Sequence, residues 1–103
     1  MEFIETSLFT KLLYDYLTED EFVGLQSFLL QSPEAGAIVP GSGGVRKLRW
    51  GMFGKGKRGG ARVIYYFKRR EDELWLLTTY GKSDIENIPA HILKQIAEEI
   101  KNV

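Results

Sequence analysis

Most of the cationic side chains of this 103-residue chain lie in one stretch, residues 41–70. The stretch contains neither Asp nor Glu, although the formal net charge of the whole chain is zero. It holds ten of the fourteen Lys and Arg residues: Arg46, Lys47, Arg49, Lys55, Lys57, Arg58, Arg62, Lys68, Arg69 and Arg70. Such a concentration of positive charge attracts polyanions, and the interleaved glycines allow a ligand to approach the backbone closely. The stretch predicts a polyanion-binding surface. The alternative is two strands with solvated basic faces joined by a flexible loop.

Aromatic residues accompany these cations. Trp50, Tyr65 and Tyr66 lie within the same stretch. Aromatic rings and guanidinium planes stack on unpaired bases, so this mixture favours a single-stranded nucleic acid as the ligand. For Tyr66, and for Tyr80 further along the chain, a structural role as a half-buried aromatic of a sheet is an equal alternative.

The residue sets used by most enzymes are missing from the sequence. His91 is the only histidine and lies far from the basic stretch, while Ser42, Ser83 and Thr78 have no base at hand. Cysteine is absent, which leaves neither a disulfide framework nor a thiolate metal site. The segment GKGKRGG lacks the Gly-Lys-Ser/Thr order of a phosphate-binding loop. We therefore expect no metal site and no cofactor.

Cleavage of RNA is a reaction that these residues can support. The nucleophile is the substrate's own 2′-hydroxyl group, so the protein needs to orient it, stabilise negative charge and move protons. Arg62 opens the strand that follows the basic loop, and Tyr80 and Lys82 close the next strand, which hairpin geometry returns to the same edge. A tyrosine, or a lysine whose pKa neighbouring cations depress, can take part in proton transfer.

The hydrophobic pattern predicts the elements that carry these residues. A short strand around Phe3 precedes two helices, the first capped by Thr6 or Ser7 and the second by the capping box of Thr18 and Glu21. Residues 45–50, 61–68 and 74–80 read as three antiparallel strands, with a loop over residues 51–60. Alternation places Lys47 and Arg49 on one side of their strand and Arg46 on the other.

A closing helix is predicted after the sheet. Ser83 and Glu86 have capping-box spacing, and Pro89 is placed as a first-turn proline. Its apolar stripe is expected to pack on the domain itself and consists of Ile88, Ile92, Leu93, Ile96 and Ile100.

Together these elements predict one α+β domain over residues 1–103. Its antiparallel-rich twisted sheet, made of the N-terminal strand and a three-strand meander, packs against an N-terminal helical hairpin, and a C-terminal helix completes it. We expect the helices on one face of the sheet. The apolar runs are too short to cross a bilayer and the first residues are acidic, so we expect a soluble, cytoplasmic protein that does not bind membranes.

Two segments together resemble a known family. The run GGVRKLRWGMFGKGKRGGARVIYYF, followed by LLTTYGKSDIENIP, resembles the HigB-like branch of the RelE/ParE toxin superfamily, and the likeness extends over essentially the whole chain. The resemblance implies a RelE-like fold and the toxin of a bacterial type II toxin–antitoxin system. It implies a ribosome-dependent mRNA endonuclease, or mRNA interferase, that works without a metal. The implied partners are the 70S ribosome, mRNA and a HigA-like antitoxin with a helix-turn-helix DNA-binding domain.

The resemblance also implies roles for individual residues. Arg62 matches the arginine that holds the scissile phosphate, Lys47 and Arg49 match basic residues near the substrate, and Lys82 matches the lysine after the last strand. Candidates for proton transfer are Tyr80, Tyr66 and Lys82. The expected RNA-binding and ribosome-binding residues are Arg46, Lys55, Lys57, Arg58 and Tyr66.

The chain departs from RelE itself at two points. Ser83 stands where RelE has an arginine, and the closing segment contains no tyrosine. Three alternatives therefore stay open: a non-enzymatic nucleic-acid-binding module, a ParE-like inhibitor of a protein target such as gyrase, and an inactive relative that serves as a scaffold.

Overall fold

A helical hairpin follows a short N-terminal strand in the computed structural model, which describes residues 1–51, 60–81 and 88–103. Strand β1 (Glu2–Glu5) leads into helix α1 (Ser7–Tyr16) and helix α2 (Glu19–Gln31). Thr6 caps α1, because its hydroxyl accepts the Phe9 N–H at 3.1 Å. The predicted capping box of α2 is confirmed, with Thr18 and Glu21 bonded reciprocally.

A five-stranded mixed sheet follows the hairpin. Its strands after β1 are β2 (Ala37–Ile38), β3 (Arg46–Trp50), β4 (Ala61–Lys68) and β5 (Glu73–Gly81), in the spatial order β1-β5-β4-β3-β2. The predicted antiparallel meander of β3, β4 and β5 is confirmed, with strand ends within one residue of the prediction. Strand β1 pairs with β5 in parallel. The predicted loop 51–60 lies almost entirely outside the described residues.

The sheet contains a bulge in β5. Ile64 of β4 lies opposite Thr78, whereas the next residue, Tyr65, lies opposite Leu76. Leu77 is therefore the extra residue, and a bulge of this kind changes which side chains face each side of a strand. Leu76 joins the core under the helical hairpin, and Leu77 joins the core on the other face.

Two separate cores cover the two faces of the sheet. The first core lies between the sheet and helices α1 and α2, and consists of Phe9, Leu13, Leu17, Phe22, Leu25, Leu29, Ala61, Val63, Tyr65, Leu74 and Leu76. The second core lies under helix α3 (Ala90–Lys101), and consists of Val45, Ile64, Tyr66, Leu77, Leu93, Ala97 and Ile100. The prediction that α3 packs on the domain is confirmed.

The prediction that all helices share one sheet face is wrong. Val63 and Tyr65 face α1 and α2, whereas Ile64 and Tyr66 face α3. The reason lies in β4, whose run of apolar residues does not alternate with polar ones, and such a strand needs cover on both faces. Helix α3 supplies the second cover.

Helix α3 begins one residue after Pro89, whereas the sequence predicted Pro89 within its first turn. Pro89 occupies the N-cap position, and its carbonyl accepts the N–H groups of Ile92 and Leu93 at 3.0 and 3.2 Å. Ser83 and Glu86, predicted as a capping box, lie outside the described residues. Among the residues described, no helix is long and apolar enough to cross a bilayer.

Candidate nucleic-acid interface

Three side chains form a row across the sheet, on the face that α3 covers in part. Arg49 of β3 lies directly opposite Arg62 of β4, and Arg62 lies directly opposite Tyr80 of β5. Directly opposite residues share a face, with Cβ atoms about 5 Å apart. We call Arg49, Arg62 and Tyr80 the cross-strand row. It lies at one end of the sheet, next to the last residue of β3 and the first residue of β4.

Lys47 adds a further cation beside this row. It lies opposite Ile64, so it projects from the same face as Arg49, two residues away along β3. Lys47 and Arg49 are exposed, whereas Arg62 and Tyr80 are half-buried. Within the described part of the chain, neither Lys47 nor Arg49 forms an ion pair or a side-chain hydrogen bond. Their charges are available to a ligand from solution.

The backbone around Arg62 is fixed by its neighbours. The guanidinium donates a long hydrogen bond of 3.4 Å to the carbonyl of Gly60, and Gly60 has a φ of +72° that favours glycine. The hydroxyl of Thr79, which is fully buried, donates to the carbonyl of Arg62 at 2.9 Å. Thr79 therefore ties β4 to β5 at the row. Sequence reasoning missed this role, since a threonine within a strand carries no distinguishing signal.

The row joins two residues of like charge. Arg49 and Arg62 face each other directly, and such pairs destabilise a sheet unless an anion or an acid lies between them. Guanidinium groups bind phosphate with two parallel hydrogen bonds, so one phosphate can contact both arginines.

Arg46 lies apart from the row. It is opposite Tyr65, on the face of the helical hairpin, as the alternation predicted. Its Nη1 donates to the carbonyls of Glu34 and Gly36 at 2.9 and 2.7 Å. These bonds hold the segment before β2 against the sheet, so the structure does not bring Arg46 together with the other candidate residues.

The three aromatic residues predicted to stack on bases pack against the two cores, two of them buried and one half-buried. Tyr65 is fully buried, and its hydroxyl donates to Pro33 O at 2.8 Å and accepts the Gly36 N–H at 2.9 Å. Tyr66 is buried in the second core. Trp50 is half-buried against α2, where its Nε1 donates to the carbonyl of Glu21 at 2.8 Å. The stacking prediction is wrong for Tyr65, because its ring is fully buried. For Tyr66 the structure agrees with the structural alternative, a sheet aromatic packed in the second core.

The remaining candidate residues fall outside the described ranges. They are Lys55, Lys57, Arg58 and Lys82. The described residues that flank these segments, Gly51, Gly60 and Gly81, lie at the end of the sheet that carries the row. Among the described residues, no three His, Asp or Glu side chains form a cluster suited to a metal ion.

Comparison with models of known protein families finds no match to this chain.

Proposed function

We propose that this protein is an RNA endonuclease of RelE-like fold that cuts translated mRNA on the ribosome, and that it is the toxin of a type II toxin–antitoxin pair. The observation that carries the proposal is the register of the sheet, which brings Arg49, Arg62 and Tyr80 into one row with Lys47 beside it. The resemblance of the basic stretch to HigB-like toxins supports the same function.

The proposed reaction uses the ribose of the substrate as its nucleophile. The 2′-hydroxyl gives up its proton as its oxygen forms a bond to phosphorus, the bond from phosphorus to the 5′-oxygen breaks, and the 5′-oxygen takes up a proton. The products are a 2′,3′-cyclic phosphate and a 5′-hydroxyl end. Negative charge builds on the two non-bridging oxygens, and cations placed beforehand at these oxygens lower the barrier.

Each residue of the row has a proposed role in this step. Arg62, held by Gly60 and Thr79, binds the non-bridging oxygens of the scissile phosphate. Arg49 shares the charge of the same phosphate, and Lys47 binds the neighbouring one. Tyr80 lies one strand away from Arg62 and supplies a hydroxyl group for proton transfer, a role for which Lys82 is the other candidate. The partners that this function requires are the 70S ribosome, its mRNA and a HigA-like antitoxin.

The test is primer extension on a translated message after induced expression in bacteria. Wild-type protein is expected to give discrete cuts with 5′-hydroxyl ends and to stop growth. Arg62→Ala is expected to lower the cutting rate by a factor of about 100 to 1,000, the usual effect of removing one donor to a developing oxyanion. Lys11→Ala is the matched control, because Lys11 is an exposed cation on α1, away from the row.

Folding must be verified by circular dichroism for both variants. Undiminished cutting by a folded Arg62→Ala variant would contradict the role of the row. Growth arrest by wild-type protein without any cut in the message would instead indicate an inhibitor of a protein target, which a gyrase supercoiling assay would identify.

A further inference from the structure

A second group of cations surrounds an open cavity at the other end of β4. The cavity has a volume of about 400 Å³ and lies where the turn at residues 69–71 meets the C-terminal end of α3. Its lining includes the cations Lys68, Arg69, Arg70 and Lys101, together with Glu71 and Tyr66. The lining therefore contains four cations and one carboxylate.

Lys68 is the buried member of this group. Its exposed fraction is 7%, and its Nζ donates one hydrogen bond, to the main-chain oxygen of Val103 at 3.0 Å. No acidic side chain of the described residues forms an ion pair with it. A buried ammonium group is unfavourable unless an anion and further acceptors compensate it, and an ammonium group has three N–H donors. Two N–H donors of Lys68 thus remain for an anionic ligand.

The exposed cations of the cavity differ in whether an acidic side chain lies close enough to form an ion pair with them. Arg69 forms an ion pair with Glu34, and Lys101 lies 3.6 Å from a Glu98 oxygen and 6.0 Å from the centre of the Tyr66 ring. Arg70, in contrast, has no hydrogen-bond or ion-pair partner among the described residues. Lys68 and Arg70 are therefore the cations of the cavity that no acidic side chain of the described residues pairs with.

This cavity is distinct from the cross-strand row. Arg62 and Lys68 lie six residues apart on β4, and a strand rises about 3.3 Å per residue, so about 20 Å separates them. A single phosphate cannot contact both. The cavity has no part in the cleavage step proposed above.

We infer that the cavity between the 69–71 turn and the end of α3 is a second phosphate-binding site. A phosphate group offers several acceptor oxygens to the unused N–H groups of Lys68 and to the planar fork of Arg70, while Lys101 adds charge at the rim. The volume lies within the range of small-molecule sites, roughly 300 to 1,000 Å³, so it accommodates the phosphate with part of an attached sugar. The phosphate is either free or part of an RNA backbone, and both sources present the same chemistry.

The first arm of the test uses inorganic phosphate and the full-length chain. All proteins carry Arg49→Gln and Arg62→Gln, so that phosphate bound at the row does not contribute. Thermal unfolding is followed while potassium phosphate replaces potassium chloride at constant ionic strength. Phosphate at about five times its dissociation constant is expected to raise the Tm by about 4–8 °C. Lys68→Met, and separately Arg70→Gln with Lys101→Gln, should abolish this rise.

A matched control accounts for the general effect of phosphate on protein stability. Phosphate stabilises folded proteins without binding them, and this effect acts equally on all variants. Lys11→Gln removes an exposed cation from α1 and should retain the full rise in Tm. An equal rise in the Lys68→Met protein, in the Arg70→Gln, Lys101→Gln protein and in the control would overturn the proposal.

The second arm uses a short fluorescent single-stranded RNA in the same background. In fluorescence anisotropy, Arg70→Gln with Lys101→Gln should lower the slope of log affinity against log salt concentration by about 1.4, or 0.7 for each lost contact. A response to RNA alone identifies a phosphodiester as the ligand, and a response to inorganic phosphate alone identifies a free phosphate. If the cavity variants change neither response, no phosphate site exists there.

Discussion

The register of the sheet sets two side chains of like charge, Arg49 and Arg62, side by side. They lie directly opposite each other on neighbouring strands, where residues of like charge repel. Lys47, two residues away on the same face, lies opposite the apolar Ile64 and meets no such repulsion. The two cations of β3 therefore make different contributions to stability, although both are exposed to a ligand.

Arg49→Gln is expected to weaken RNA binding while it stabilises the fold. The loss of one phosphate contact should lower the slope of log affinity against log salt concentration by about 0.7. Relief of the repulsion should raise the free energy of unfolding by about 0.2–1 kcal/mol. Lys47→Gln is the control, because it should lower the slope equally and leave stability unchanged. A destabilised Arg49→Gln protein would show that the arginine pair is not repulsive.

Tyr65 ties the segment before β2 to the sheet through its hydroxyl group. Tyr65→Phe leaves Pro33 O and the Gly36 N–H without this partner, which should lower the free energy of unfolding by about 1–3 kcal/mol. Chemical denaturation at neutral pH measures the change. Tyr14→Phe is the control, because Tyr14 is 61% exposed and should show no change.

The stability contributed by Tyr65 should also depend on pH. Burial raises the pKa of Tyr65 above its ordinary value of 10.0, and the hydrogen bond from Gly36 offsets part of that rise. The folded state therefore holds the phenolic proton more tightly than the unfolded state. The contribution is fully present below pH 10.0 and is lost as the pH rises through 10.0 towards the folded-state pKa. Wild-type protein should lose more stability than Tyr65→Phe over this alkaline window, and equal losses would contradict the burial argument.

At the scale of elements, Thr6 connects the start of α1 to the sheet. Its hydroxyl accepts the Phe9 N–H and donates to the carbonyl of Leu77, the bulged residue of β5, at 2.8 Å. Thr6→Ala is expected to lower the free energy of unfolding by about 1–2 kcal/mol, since it removes a helix cap and a hydrogen bond together. Thr6→Ser keeps the hydroxyl and should remain close to wild type in urea denaturation. Equal losses in both variants would assign the effect to the methyl group.

Local chemistry explains which elements the sequence predicts correctly. Thr6 and the Thr18–Glu21 pair mark helix starts because their side chains bond to nearby backbone groups, and β4 is identified by its β-branched and aromatic residues. Strand β2 was not predicted, since Ala37 and Ile38 form a strand only by pairing with β3. The placement of α3 was wrong because its apolar stripe is compatible with either face of the sheet.

For the candidate site, the sequence predicts the side of the strand on which a residue lies but not the residue that it faces. Alternation alone places Lys47 and Arg49 on one side of β3 and Arg46 on the other, and the structure agrees. The pairing of Arg49 with Arg62 was not predictable, because register depends on the whole sheet and on the connection between β3 and β4. The burial of Tyr66 could not be predicted from the sequence either, since it follows from the position of α3.

At the scale of the whole molecule, β4 is the element that both cores share. Its odd-numbered residues Val63 and Tyr65 belong to the first core, and its even-numbered residues Ile64 and Tyr66 belong to the second. A strand that packs on both faces couples the two helical layers, because neither layer can lose its packing without exposing apolar residues of the same strand. Arg62 of the cross-strand row lies on this strand. We therefore expect the geometry of the row to persist until the whole molecule unfolds.

The two tryptophans of the chain allow this coupling to be measured, because Trp50 packs on the first core and Trp75 on the second. Leu93→Ala removes a buried side chain of α3 from the second core and should lower the free energy of unfolding by about 2–5 kcal/mol. Combined with Trp50→Phe or Trp75→Phe, it leaves one reporter on one face. If β4 couples the cores, each reporter should follow the same urea transition as far-ultraviolet circular dichroism. An earlier transition of Trp75 than of Trp50 would show that α3 detaches on its own, and the row would then lose its support on that face before the hairpin side unfolds.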